Sequence, residues 1–385
     1  MRICLVSSSF YPAKVYGGPV FSTWGLSKKL SEHGHEIFVS TTNANGLERL
    51  INVSTKEHKE IYKNIWVRYY KEEILNFFSA SLLFNIWRDI KNSDIIYVQY
   101  LFHYTVVVAL FFAWFFKKQI IICPRGSFSH YTLTYNKSFL KQMWLFFIIR
   151  PFHKFIKWHA SSELEKNDII SYFPQSKIII VQDGIDIKKF KNKSQLRRVD
   201  LIKYFTNRDF DEVEEVICSI GRLHKIKCFH ILIDAFSVYL KENTRSKLII
   251  AGSDDGQKKT LENQILTLEL SDSVFLIGEV NEIDKQLMLY NSDFFALASE
   301  FESFGIVVAE SLACGLPVLV SNKTPWKEIE RYNCGILVNN NKEDFYLGLL
   351  RMKNTQFNKH NCINYSKENF DWEIIANRFI KSFIK

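Results

Sequence analysis

The sequence is poor in the features that mark membrane-spanning, secreted and metal-stapled chains. Its longest uninterrupted apolar run, Val106 to Phe116, has eleven residues, against about 20 for a helix that crosses a bilayer. The seven cysteines, Cys4, Cys123, Cys218, Cys228, Cys314, Cys334 and Cys362, are scattered, odd in number and without a C-x2-C pair. That spacing fits neither a zinc site nor a disulfide framework, so a reducing cytoplasm is the expected setting. After Arg2 only four apolar residues, Ile3 to Val6, precede a serine run, which reads as a buried first strand rather than a secretory leader. Acidic residues are missing altogether between Asp94 and Glu163, a stretch holding eight Lys or Arg and many aromatics.

What is present is ordinary globular material. The 385 residues are 47% hydrophobic and 24% charged, which excludes wholesale disorder and fits two domains. The net charge of +9 is uneven. Residues 1–200 hold 28 basic and 15 acidic side chains, residues 201–385 hold 22 and 26. Nucleic-acid binding would explain a basic half, but no recognition module supports it and the acidic half opposes wrapping.

Short β-branched runs alternate with longer helical patterns, the signature of parallel βαβ units. The first half offers strands at 1–8, 35–42, 94–100, 119–124 and 177–182, with a helix to about Glu32 after the Gly17-Gly18 pair. The second offers 216–223, 247–253, 274–280, 294–299, 317–321 and 335–339. The expected division is a Rossmann-like domain over 1–190, a polar linker over 191–214, a second Rossmann-like domain over 215–370 and a closing helix over 371–385. In such sheets ligands bind at the carboxyl ends of the strands.

The strongest constellation lies at 298–321, where Glu302 precedes a helix start and Glu310 sits eight positions later inside that helix. At 1.5 Å per residue the two carboxylates stand about 12 Å apart along the axis. Between them, around Ser303, Phe304, Gly305 and Ile306, the free N–H groups and dipole of the helix suit a diphosphate. A sugar nucleotide has that layout, with hydroxyls at both ends for carboxylates to bind. Glu302 as a helix cap and Glu310 as an exposed helix residue are the plain alternative. Gly221 and Arg222 close a predicted strand, with Lys227 five residues on, where two cations would neutralise a departing diphosphate without metal; taken alone, a solvated basic loop is the plainer reading. Gly17 and Gly18 after the first strand let the backbone approach a ligand.

Together, YGGPV at 16–20, GRLHKIK at 221–227, EFESFGIVVAES at 300–311 and ACGLPVLVSNKTPWKEIERYNCGILV at 313–338 resemble the family 4 retaining glycosyltransferases of GT-B fold. A T-P-W-K-E string recurs in the branch acting on bacterial surface polysaccharides. The resemblance runs along nearly the whole chain. It implies an α/β architecture of two Rossmann-like domains facing a central cleft, the first (1–190) binding the acceptor and the second (215–370) the nucleotide-sugar, with the C-terminal helix crossing back to the first domain. It implies that Arg222 and Lys227 hold the donor diphosphate, that Glu302 contacts the donor sugar and Glu310 the ribose. It also implies a nucleotide-sugar donor, UDP first and GDP second, with no cofactor and no metal. Two departures stand out. Where many members carry P-H-G, this chain has CPRGS, placing Arg125 and Gly126 at the reacting sugar. An arginine is no base at neutral pH. Where members carry P-N-G-I-D it has VQDGID, with Asp183 for asparagine.

His103 follows a strand end and is a further cleft candidate. Asp209 and Asp211 mimic a D-x-D metal motif but sit in the polar linker, and Asp254 and Asp255 lie on a strand-end loop that borders a nucleotide or simply turns. In the acid-free stretch, Lys141, Arg150, Lys154 and Lys157 border an apolar face with Trp144, which suits an anionic bilayer surface. An internal helix pair with solvated lysines is the alternative. The expected protein is a peripheral enzyme on the cytoplasmic face of the bacterial inner membrane, moving a sugar to a lipid-linked saccharide in O-antigen, capsule or exopolysaccharide synthesis. A sugar-nucleotide epimerase of the same fold would share the cleft but need no lipid. A silent scaffold would be expected to lose the cations or glutamates, and all four are present.

Overall fold

The computed structural model describes residues 1–74, 78–134, 138–191 and 195–384. Residues 192–194 of the expected linker, Lys137 at the head of the basic aromatic stretch and Lys385 of the closing helix lie outside the described residues. The chain forms two compact units, Met1–Ile185 with Trp372–Lys385, and Asp186–Asp371.

Unit 1 is built on eight strands: β1 (Arg2–Val6), β2 (Glu36–Thr42), β3 (Lys59–Tyr62), β4 (Ile65–Tyr70), β5 (Ile95–Gln99), β6 (Gln119–Cys123), β7 (Ile156–Ala160) and β8 (Lys177–Ile180). Their order is β8-β7-β6-β5-β1-β2-β4-β3, and only β3, which turns back on β4, is antiparallel. Helices cover both faces, so the inner strands read as unbroken apolar runs. Alternation still sorts the side chains of β1. Cys4 and Val6 join a core with Ile86, Val106 and Trp158, whereas Ile3 and Leu5 join one with Leu26, Val39 and Phe379. β3, β4 and β7 coincide with none of the strands expected from the sequence. All three mix polar residues with apolar ones: Lys59 and Glu60 in β3, Arg68 in β4, and Lys157 and His159 in β7.

The closing helix, Trp372–Phe379, belongs to unit 1 and packs on the first helix, Gly18–Glu32. Its Trp372 indole lies so close to two glycines that a Cβ at Gly25 or Gly184 would stand 2.3 or 2.5 Å from the ring. No larger residue fits at either place without displacing the indole.

Unit 2 carries six parallel strands: β9 (Glu215–Ile220), β10 (Ser246–Ala251), β11 (Val274–Gly278), β12 (Phe294–Leu297), β13 (Val318–Ser321) and β14 (Gly335–Val338). All six coincide with runs read from the sequence. Their order, β11-β10-β9-β12-β13-β14, reverses direction between β9 and β12, the arrangement of a doubly wound sheet. The segment expected as a linker is not extended throughout. Arg198–Thr206 is a helix that buries Leu201 and Ile202, and Arg198 bonds Asp293 at 2.6 Å.

One buried residue ties β5, β7 and the chain beyond β8 together. His159 lies 2.8 Å from the Tyr97 hydroxyl through Nδ1 and 2.7 Å from the Val181 carbonyl through Nε2. Since a carbonyl only accepts, Nε2 carries the proton and Nδ1 accepts from Tyr97, the neutral form. Burial, with Arg125 nearby, lowers its pKa from 6.5 to about 4. The unfolded chain therefore binds the extra proton first as pH falls, and stability drops by about 3 kcal/mol between pH 6.5 and 4. Urea unfolding at pH 7 and pH 4.5 checks this: His159→Gln should lose less stability on acidification than wild type, and equal losses would refute it.

Candidate active site

Because β9 and β12 are neighbours, the loops leaving their carboxyl ends meet. After β9 come Gly221 and Arg222, then a single helical turn, Lys225–Lys227, capped by His224 Nδ1 accepting from the Ile226 N–H at 3.2 Å. After β12, the Glu300 N–H donates to the Ile226 carbonyl at 2.8 Å and locks the two loops together. The Lys227 ammonium consequently donates to the Glu302 carboxylate, which also accepts from Ser299 Oγ at 2.7 Å. Both charges are largely shielded, their side chains 18% and 12% exposed. Gly221 leaves room for the Lys227 stem, whose Cε would lie 3.3 Å from a Cβ there. Arg222 reaches outward and pairs with Asp255 at 2.5 Å. Asp254 takes the turn role, its Oδ1 accepting from the N–H groups of Gly256, Gln257 and Lys258.

Beyond Glu302 the chain passes half-buried Ser303 and enters the helix Ile306–Ala313 through Gly305. Gly305 has φ 82°, and no side chain caps this helix start, so its first N–H groups and dipole are available to an anion. A Cβ on Gly305 would sit 3.2 Å from Trp326 Nε1. That indole donates to the Phe304 carbonyl at 2.6 Å. Phe304, expected at the donor for the N–H groups of the helix start, turns its ring into the core against Trp326 and Phe370; an apolar ring is more stable out of water. Ile306 is half-buried at the helix start. Glu310 is neither exposed nor free. It is buried, and one oxygen accepts from Lys285 Nζ at 2.8 Å. Burial raises its carboxyl pKa, with Lys285 pulling the other way.

In unit 1, Gly17 takes φ 68° as the uncapped start of the helix in which Gly18 is the first residue. His103 caps a helix: its Nδ1 lies 2.9 Å from Thr105 Oγ1, at the start of Tyr104–Phe115. Arg125, a cleft candidate from the sequence, is buried in an ion pair. Its side chain is 3% exposed, and one nitrogen bonds both Asp183 oxygens at 2.6 and 2.7 Å while Nε bonds Gln99 at 2.9 Å. The two departures from the family pattern are thus one ion pair, since a buried guanidinium requires a carboxylate. Gly126 donates its N–H to buried Glu165 at 2.6 Å.

The acid-free stretch is partly core and partly exposed. Helix Ser138–Trp144 continues as a wider turn through Leu145–Ile149. Leu145 and Ile149 are core, and Trp144 leans on them. Phe139, Leu140, Phe146 and Phe147 remain exposed, as do Phe111, Trp114 and Phe115 on Tyr104–Phe115. A groove of about 590 Å³ opens among Phe139, Met143, Phe146, Arg150, His153 and Tyr172. Arg150 and Lys154 are exposed there. Lys141 turns inward, donating to the Thr132 carbonyl at 2.6 Å, and Lys157 lies in β7 rather than on a helix face. Among the described residues no helix is long and apolar enough to cross a membrane, and no cluster of three His, Cys, Asp or Glu could hold a metal. Asp209 pairs with Lys203 at 2.6 Å.

Two Rossmann-like sheets, with cations and carboxylates gathered at the reversal point of the second, define the GT-B class of α/β proteins. Anabaena HepE, solved in complex with UDP, shares the fold at a TM-score of 0.76, with 19% identity over 99% of both chains. Residues 202–369, which fall within unit 2, match the family model of glycosyl transferases group 1. Among curated relatives, an alpha-monoglucosyldiacylglycerol synthase of Streptococcus pneumoniae is 25% identical over 323 residues, 83% of this chain and 70% of that one. A GDP-mannose:cellobiosyl-diphosphopolyprenol alpha-mannosyltransferase of Xanthomonas oryzae pv. oryzae is 22% identical over 274 residues, 69% and 67%.

Two residues and one pairing escaped the sequence reading. Trp326 lies within the T-P-W-K-E string and had a signal, but its indole bond to Phe304 spans 22 positions. Lys285 had none, being one lysine on the polar face of a helix. The Arg125–Asp183 pairing spans 58 positions. Arg125→Ala should cost about 3–5 kcal/mol by stranding a buried carboxylate. Arg125→Met with Asp183→Leu should recover most of that in urea unfolding, and a double variant as unstable as the single would contradict the pairing.

Proposed function

We propose that this chain is a retaining, metal-independent hexosyltransferase that moves a sugar from a nucleotide donor, UDP-linked first and GDP-linked second, to a lipid-linked saccharide. The observation that carries the reading is the strand-end cluster of unit 2: Arg222, Lys227, an uncapped helix start and Glu302 on two loops locked by one backbone bond. Cations and helix N–H groups stabilise charge as it develops on the leaving diphosphate. Arg222 and Lys227 first exchange their carboxylate partners for phosphate oxygens. Glu302, released by Lys227, accepts from a sugar hydroxyl, and Glu310 serves the ribose. The bond from the anomeric carbon to the diphosphate breaks, the acceptor oxygen bonds that carbon on the same face, and the acceptor proton passes to the leaving phosphate.

Unit 1 serves the acceptor in this reading. Its exposed aromatics beside Arg150 and Lys154 suit an anionic bilayer surface, and the names of the Streptococcus and Xanthomonas relatives carry lipid acceptors. Bacterial surface-polysaccharide synthesis at the cytoplasmic face of the inner membrane is the setting that joins these features.

A thermal-shift panel of UDP-, GDP- and ADP-sugars tests the donor half, because a ligand that prefers the native state raises the melting point. One nucleotide series should shift it, and EDTA should leave turnover unchanged. Arg222→Ala with Lys227→Ala should lower donor turnover by on the order of 10² or more; near wild-type turnover overturns the roles. Cosedimentation with phosphatidylglycerol vesicles tests the other half. Phe146→Asp with Phe147→Asp should weaken binding by on the order of tenfold or more, and unchanged cosedimentation removes the membrane from the reading.

A further inference from the structure

Glu310 presents an unusual pair of oxygens. Oε1 accepts from Lys285 Nζ at 2.8 Å, whereas Oε2 is buried and has no hydrogen-bond partner. Buried carboxylate oxygens are normally bonded, and leaving one bare costs free energy. Lys285 projects from the neighbouring helix, Glu282–Asn291, with its side chain 13% exposed, and also bonds Glu282 at 3.0 Å. An ammonium this shielded is kept charged only by its partners. Burial alone would lower its pKa, and Glu310 and Glu282 outweigh that and raise it. Lys189, on the turn Ile187–Lys191, and Cys314 also face this pair, and Tyr290 adjoins Cys314.

From this geometry we infer that Lys285 is a positioning residue: it pins one Glu310 oxygen, keeps the carboxylate ionised and leaves the other oxygen to accept from a hydroxyl of the nucleotide's ribose. The inference rests on the reading of Glu310 as the ribose contact and extends it to a residue that touches no substrate. A single hydrogen bond from lysine fixes the rotation of the carboxyl group. Oε2 then needs a donor, and a sugar diol supplies one without adding charge. Without Lys285 the carboxyl group would take up a proton nearer neutrality, because burial already favours its uncharged form.

The test compares affinities for UDP or GDP, whichever binds, with those for its 2′,3′-dideoxy counterpart. Wild type should prefer the ribonucleotide by on the order of tenfold or more, the difference one bonded ribose edge supplies. Lys285→Met should cut the preference to within about threefold, leave dideoxy affinity unchanged, and regain preference as pH rises from 6 to 9. Lys285→Arg should restore part of it at pH 7. Lys285→Gln, polar and neutral, serves if the methionine variant does not fold. A preference unchanged in Lys285→Met or Lys285→Gln overturns the inference. Glu310→Gln separates the layers: if it too keeps the preference, the ribose reading itself fails, whereas its loss there with retention in Lys285→Met condemns only the positioning role.

Discussion

Neighbouring parallel strands must end their chains side by side, and in unit 2 that constraint brings β9 and β12 together. Each strand hands its loop to the same edge of the sheet, where ligands bind in doubly wound folds. A single backbone bond, from the Glu300 N–H to the Ile226 carbonyl, then sets the distance between the loops. Lys227 and Glu302 meet because of it, and the helix bearing Glu310 starts where it does for the same reason. Trp326 completes the support from below by holding the Phe304 carbonyl.

Charge pairing is the second theme of the molecule. Arg222 with Asp255, Lys227 with Glu302, Lys285 with Glu310 and Arg125 with Asp183 each join a cation to a carboxylate distant in sequence. The pairs differ in shielding, and that difference sorts their uses. Arg222 is 58% exposed and exchanges its partner at little cost. Arg125 is buried with its partner, and removing either member strands the other. Lys227 and Lys285, with side chains 18% and 13% exposed, lie between these extremes.

Much of the fold was readable beforehand because parallel strands covered on both faces are unbroken apolar runs. All six strands of unit 2 were visible in this way. β7 was not, since Lys157 and His159 break its pattern, and the burial of His159 depends on Tyr97 and the Val181 carbonyl, both remote in sequence. The site divided along the same line. Glu302, Gly305 and Glu310 lie within nine residues of one another and were legible as a group. The direction of the Phe304 ring was not legible, because an aromatic at a helix start looks alike whether it faces a ligand or the core.

The sequence by itself determined the βαβ alternation, the glycines at helix starts and the residue types at the strand ends, because these follow from local backbone preference and short-range pattern. Tertiary structure alone decided which charge meets which. Asp183 answers Arg125 across 58 positions and Lys285 answers Glu310 across 25. No local preference records such pairings; they arise when the sheet order places distant loops and helices in contact and burial then demands a partner for every charge.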